Sequence, residues 1–272
     1  MILGLGTAYE LVPAEERKRI GILLGDIIFS LEKHDWRILN ANGRWTTGGI
    51  LNPHSLFGIG NAVHVLSFTK ARSQADQGGK SQYEYYVKKH SDELENIFPW
   101  INRYYDYYAV NLYYLSFFNL VELEKDPALK EFYRDVFEKR LWFFTKNHDN
   151  VFFNYIHAAI SGKEMSLADR NENLLMLRRF PPAPRRDLRA VNSQRTDISK
   201  ARSWRGVVTI EQNTRFSRYP LPIHERPPSD FLWQRTPFAL DGGGDGNLEY
   251  PGVDFLLAYW MGRHYGLIGA DD

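Results

Sequence analysis

Apolar residues recur at helical spacing along most of the chain, and the segments they define alternate between two kinds. The first, MILGLGTAYELV, sets Leu5, Tyr9 and Val12 on one helical face around Gly4, Gly6 and Ala8. Glycine inside a helix costs roughly 1 kcal/mol against alanine, so this cluster predicts close helix packing. The pattern is already running at Ile2 with no cap and no signal-peptide region before it, as in a helix whose beginning has been cut away. A second helix starts at Pro13, with Glu15 and Glu16 complementing its positive end. Ile20, Leu23, Leu24, Ile27, Ile28 and Leu31 then repeat opposite charged residues, up to about His34. The stretch DWRILNANGRWTTGG is rich in turn formers and reads as a loop, and Asn52-Pro53 opens a third helix that runs to about Lys70.

The alternation continues. A charged amphipathic fourth segment covers about Gln82 to Ile97. A fifth, from about Asp106 to Glu122, is apolar nearly all round and belongs inside the protein. Pro127 to about Thr145 is charged again, Val151 to Ile160 apolar, and Leu167 to about Arg179 polar. Helical hairpins with one buried and one solvated member predict an all-α fold of stacked hairpins, in a single domain over residues 1–272. Connections from a buried to a charged helix are mostly short. Those leading back carry Trp36, Arg44, Trp45, Pro99, Trp100, Tyr104 and Tyr105, and stacking would gather them at one end of the array. Binding residues tend to lie on such loops over a rigid scaffold.

Before the last helix lies a long irregular segment, about residues 181–252, too long for an idle connection. Apolar residues Phe231, Leu232, Trp233, Phe238, Leu240 and Tyr250 give it surface to dock, and Gly206-Val207-Val208-Thr209-Ile210 has the composition of a short strand. The closing helix, Val253 to about Tyr265, carries an apolar stripe of Val253, Leu256, Leu257, Trp260, Met261 and His264 and stops at Gly266.

Composition narrows the classes. Among 272 residues there are 34 Lys+Arg against 33 Asp+Glu, and no cysteine. Disulfide frameworks, thiolate metal sites and cysteine nucleophiles drop out together. A near-neutral chain offers no overall electrostatic grip on nucleic acid or membrane, and no apolar run reaches the roughly 18 residues of a spanning helix. Locally the balance shifts: Lys163 to Arg218 holds 13 Lys/Arg against 6 Asp/Glu. There is no GxGxxG after a strand, no GxxxxGK[ST] and no GxSxG, and the eight histidines show no HExxH or other metal spacing. Neither cofactor nor metal is expected.

With its hairpin rhythm, the loop DWRILNANGRWTTGG and the ending PGVDFLLAYWMGRHYGLI, the chain resembles bacterial α/α-toroid proteins, a group that includes six-hairpin glycoside hydrolases and polysaccharide lyases. The resemblance implies a carbohydrate-facing cleft at one end of the toroid, with carboxylates and aromatic rings in its wall. About four and a half hairpins are found where a complete toroid holds about six, which fits a missing N-terminal part.

Glycoside hydrolysis needs two carboxyl groups, about 5 Å apart for retention or about 6.5–9.5 Å for inversion. Carboxyls on the expected loop face are Asp35, Asp106, Glu225, Asp230, Asp241, Asp245, Glu249 and Asp254. Asp106 among four tyrosines, Glu225 and Asp230 are the candidate catalytic groups, while helix capping accounts for Asp254. Trp45, Tyr104, Tyr105, Arg226, Trp233, Gln234 and Arg235 are the candidate substrate-binding residues, since indole and phenol rings stack on sugars and arginine pairs with carboxylates. A Trp233 that merely anchors the long segment is the competing account. Asp241-Gly-Gly-Gly-Asp245-Gly-Asn247 offers oxygen ligands without the spacing of a calcium loop. His157, on an apolar helix, reads as a core histidine. The resulting expectation is a carbohydrate-active protein, a glycoside hydrolase or polysaccharide lyase acting on an acidic oligo- or polysaccharide at the long-loop end. The alternative is a non-catalytic helical scaffold that binds a glycan or a protein.

Overall fold

A computed structural model of the chain describes residues 1–55, 60–97, 107–181, 195–200, 215–227, 230–240 and 251–272. The chain is mostly helical, and the strands among the described residues form two small two-stranded sheets. No described helix is long and apolar enough to cross a membrane. The chain divides into two compact units: residues 1–98 with 112–141, and residues 99–111 with 142–272.

The first unit holds α1 (Ile2–Tyr9), α2 (Ala14–Lys33), β1 (Arg37–Leu39), β2 (Trp45–Ile50), α3 (Ala62–Arg72), α4 (Gln77–His90), most of α5 (Tyr107–Leu123) and α6 (Pro127–Phe137). Ile2, Leu24 and Ala71 meet at the centre of the α1, α2 and α3 packing, with Leu5, Ile20, Ile27 and Phe68 around them. α3 and α5 are buried almost throughout, as their apolar patterns require: Val63, Val65, Leu66, Val110, Tyr114, Phe117, Leu120 and Val121 are all fully enclosed. Each such side chain contributes roughly 1.5–3 kcal/mol by leaving water.

Boundaries moved where side chains offer the backbone another partner. Asn52 Oδ1 accepts a 2.8 Å hydrogen bond from the His54 amide, a turn that competes with helix, and Gly60 takes φ +91°; α3 begins at Ala62 and not at Pro53. The expected loop at 35–49 contains the β1–β2 hairpin, closed where the Asn40 side chain accepts from the amides of Asn42 and Arg44. Charged α4 starts earlier than the periodicity indicates, at Gln77, because Asp76 Oδ1 caps it through the Gly79 amide at 2.6 Å. Beyond His90 the chain winds as a 3-10 turn, Ser91–Asn96.

The second unit contains α7 (Phe143–Thr145), α8 (Val151–Ser161), α9 (Leu167–Arg178), β3 (Ile198–Lys200), β4 (Arg215–Ser217), 3-10 turns at Ile223–Glu225 and Leu232–Gln234, and α10 (Val253–His264). α8 is its buried centre and packs on α9, α10 and the Leu232–Gln234 turn. The expected strand at 206–210 lies outside the described residues, while β3 and β4 pair antiparallel on either side of it.

α10 packs by its small residues and not by its apolar stripe. Its apolar stripe faces solvent, with Val253 at 47%, Leu256 at 48%, Leu257 at 37% and Trp260 at 62% exposure. The buried side consists of Asp254, Ala258 and Gly262. Small residues win that face because the helix lies too close to its neighbours for larger ones. A Cβ on Gly262 would stand 2.6 Å from Ile268 Cδ1 and 2.7 Å from a ring carbon of Tyr155.

Candidate functional site

The segment around 221–235 is tied into the second unit by the residues that the sequence marks as binding groups. Trp233 is fully buried; its indole Nε1 donates to the Asp254 carbonyl at 2.7 Å, and its own carbonyl accepts from Asn150 Nδ2 at 3.0 Å. Phe180 packs against its ring. Both faces are enclosed, so Trp233 has no surface for a sugar and serves as an anchor. Asp254, buried beside it, accepts from the Leu232 and Phe255 amides at 3.0 and 2.9 Å.

Arg226 is likewise buried, at 1% exposure. Its Nε donates to the Leu221 carbonyl at 2.9 Å and its Nη2 to the Asp149 carbonyl at 2.6 Å. Burial pulls the guanidinium down to about 10, still protonated at neutral pH. It holds backbone in place and is closed to a substrate carboxylate.

The remaining candidates scatter. Glu225 is half-buried and receives Arg195 Nη1 at 3.2 Å, while Arg195 grips Asp197 with two further hydrogen bonds. Asp230 is exposed and accepts from Gln234 Nε2 at 3.2 Å, and Arg235 is half-buried. Trp45 belongs to the first unit, where it is 66% exposed with the Arg37 guanidinium 4.1 Å from its ring centre. Tyr104, Tyr105 and Asp106 lie outside the described residues, as do Asp241, Asp245 and Glu249.

A cleft of about 580 Å³ in the second unit brings together groups that the sequence did not single out. α6 passes through a π-turn, Glu138–Trp142, before α7, and π-turns of this kind are frequent at functional sites. Trp142, at its end, stacks on His157 of α8 with ring centres 3.9 Å apart and planes within 6°. Between them in sequence, Asn150 caps α8 by accepting the Phe153 amide, and Asp149 just before it takes the left-handed backbone conformation, φ +50°. Non-glycine residues seldom adopt that region without surrounding restraint. Arg226, holding the Asp149 carbonyl, supplies it.

α9 forms the other wall. α8 closes at Gly162, and Ser166 opens α9 by accepting the Asp169 amide while donating to its carboxylate at 2.6 Å. Asn154 Nδ2 donates to Asn173 Oδ1 at 2.7 Å, locking the two helices together within the lining. Glu172, Lys146 and Lys163 also line the cleft.

The electrostatics single out Asp149. The residue is exposed on the cleft wall; partial desolvation of its carboxyl, reinforced by Glu172, raises it above the ordinary aspartate range against the opposing pull of Arg226. A carboxyl tuned upward beside a second carboxyl is the arrangement of a general acid. Asn-His-Asp-Asn, a polar turn between a charged and an apolar helical segment, was the available signal for Asp149. Glu172 sits on a polar helix where periodicity marks only a solvated side.

In the first unit, His54, His90 and Glu93 offer ligand atoms within 4.8 Å of one another. Compared with known proteins, the chain matches no family model, no curated protein and no solved structure.

Proposed function

We propose that the chain is a carbohydrate-active protein, a glycoside hydrolase that takes an acidic glycan into the cleft between α8 and α9. The observation that carries this reading is the placement of two carboxyls, Asp149 and Glu172, in one cleft with the stacked Trp142–His157 pair. In this reading the aromatic pair carries a sugar ring, Asp149 protonates the leaving glycosidic oxygen, and Glu172 supplies the second carboxylate. Lys146 and Lys163 meet uronate carboxylates, and Arg226 acts as a positioning residue through the Asp149 backbone. The alternation of buried and solvated hairpins supports placing the cleft in a toroid of the kind the sequence resembles.

The test is depolymerisation of neutral and uronate-containing polysaccharides by the whole chain, with new reducing ends and unsaturated uronates assayed separately. Hydrolysis yields the first without the second. Asp149→Asn should lower turnover at least about 100-fold, the scale of a general acid, while glycan binding persists. Unsaturated ends would make the protein a lyase, and binding without turnover would make it a glycan-binding scaffold. Neither binding nor turnover, with Asp149→Asn indistinguishable from the parent, would refute the reading.

A further inference from the structure

We infer that His54, His90 and Glu93 form a zinc-binding site in the first unit. The three come from two short elements. His90 ends α4, and Glu93 follows it by three positions in the 3-10 turn Ser91–Asn96, so that both project from one side of the winding chain. His54 arrives from the Asn52–Ser55 turn, where the Asn52 side chain fixes its amide.

The spacings suit an ion. His90 Nδ1 lies 3.0 Å from Glu93 Oε1, and His54 Nε2 lies 3.9 Å from the same oxygen. The second separation is too long for a hydrogen bond. Tetrahedral zinc with bonds of about 2.0–2.1 Å needs donors about 3.3 Å apart, a value between the two. All three donor atoms fall within 4.8 Å, and the two imidazole rings stand 5.3 Å apart. Small rotations of the exposed His54 side chain and of Glu93 would close the set. Two imidazoles and one carboxylate match zinc's preference for nitrogen and oxygen ligands and leave a fourth position for water.

The surroundings are built to hold the inner ligand still. Tyr86 stacks on the His90 ring, nearly parallel at 5.8 Å. The Tyr86 hydroxyl in turn accepts from Trp36 Nε1 at 3.1 Å and donates to Glu32 at 2.9 Å. His54, with its side chain 61% exposed, leaves the site open to solvent and hence to an entering ion.

The experiment is a zinc titration of the whole chain, stripped by chelator and dialysed, in competition with a chromophoric zinc indicator. One zinc per chain should bind with a dissociation constant below about 1 µM. His54→Ala and Glu93→Gln should each weaken binding at least about tenfold. Both replace side chains at the surface end of the site, and circular dichroism checks that the helices persist. His224→Ala, at an exposed histidine also beside a glutamate, should bind as the parent does. Cobalt should give visible bands of low-coordinate nitrogen and oxygen ligation that His54→Ala abolishes, and zinc should raise the melting temperature of the parent but not of that variant. Equal affinity in the parent and either ligand variant, or no binding up to 100 µM zinc on the scale of weak surface sites, would overturn the proposal and leave a hydrogen-bonded His90–Glu93 pair with His54 beside it.

Discussion

The buried charge network of the first unit gives the sharpest stability prediction. Lys70 of α3 and Glu124, just after α5, are 7% and 5% exposed, and their charged atoms meet at 2.8 Å. Glu124 is saturated on both oxygens: Lys70 Nζ and the Lys125 and Asp126 amides donate to Oε1, and the Tyr83 hydroxyl donates to Oε2 at 2.6 Å. Tyr83 also meets the Tyr133 hydroxyl at 2.7 Å, which links α3, α4, α5 and α6 through one polar cluster. With an effective dielectric constant of about 20, attraction at this distance is about 6 kcal/mol. Desolvation of two ions cancels much of it, so the pair as a whole contributes little.

Removing one partner is another matter. Glu124→Gln strands an ammonium in the protein interior and sets an amide group against donors, and the expected cost is about 3–5 kcal/mol. Lys70→Met is milder, about 1–3 kcal/mol, because Tyr83 and two backbone amides still serve the carboxylate. In the double variant no ion remains stranded, and its cost should fall below the sum of the singles by about 2 kcal/mol or more. Urea unfolding followed by helical ellipticity measures all three. The pH dependence has a definite sign. Burial alone would raise the Glu124 carboxyl, but hydrogen bonds from Lys70, Tyr83 and the Asp126 amide outweigh it and hold the group below the ordinary glutamate range. Its contribution is therefore fully present above that range and disappears as pH falls through the folded-state value. A Glu124→Gln variant within 1 kcal/mol of the parent, well short of the stranded-charge cost, or strict additivity in the double variant, would refute the reasoning.

Two further perturbations probe other parts of the packing. His64 is buried against Tyr113 with Nδ1 2.8 Å from Ser116, and desolvation lowers its imidazole from 6.5 to about 4. The unfolded chain takes up that proton first, so stability should fall between pH 6.5 and 4 by about 3 kcal/mol more in the parent than in His64→Gln; parallel stability–pH curves would exclude it. Gly262→Ala gains roughly 1 kcal/mol of helix propensity, but its methyl meets Ile268 and Tyr155 below 3 Å. Overpacking of about 1–3 kcal/mol should prevail and lower the melting temperature, whereas a raised melting temperature would show that α10 can shift away.

What was legible in the sequence follows from what kind of cause set each feature. Periodicity placed most helices, because burial of an apolar side needs only the local pattern: α5 and α8 came out enclosed as their composition requires. Start and end points depended on single side chains, Asn52 and Asp76 among them, whose hydrogen bonds compete with or complete a helix. α10 misled for a different reason. Its apolar stripe suggests an inward side, yet contact distance, not hydrophobicity, decided the packing: the buried side holds Asp254, Ala258 and Gly262, and at Gly262 the Tyr155 ring of α8 leaves no room for a Cβ. The same reasoning explains the site residues. Trp233 and Arg226 have the chemistry of ligand binding, but they close a long segment onto its support, where a large ring and a five-donor cation are equally useful. Asp149 and Glu172 look ordinary in sequence because their character comes from a cleft wall contributed by separate helices. His54 and His90 are 36 positions apart, so no spacing rule links them. A pattern of neighbours along the chain can report a helix; it cannot report which distant side chains the helices bring face to face.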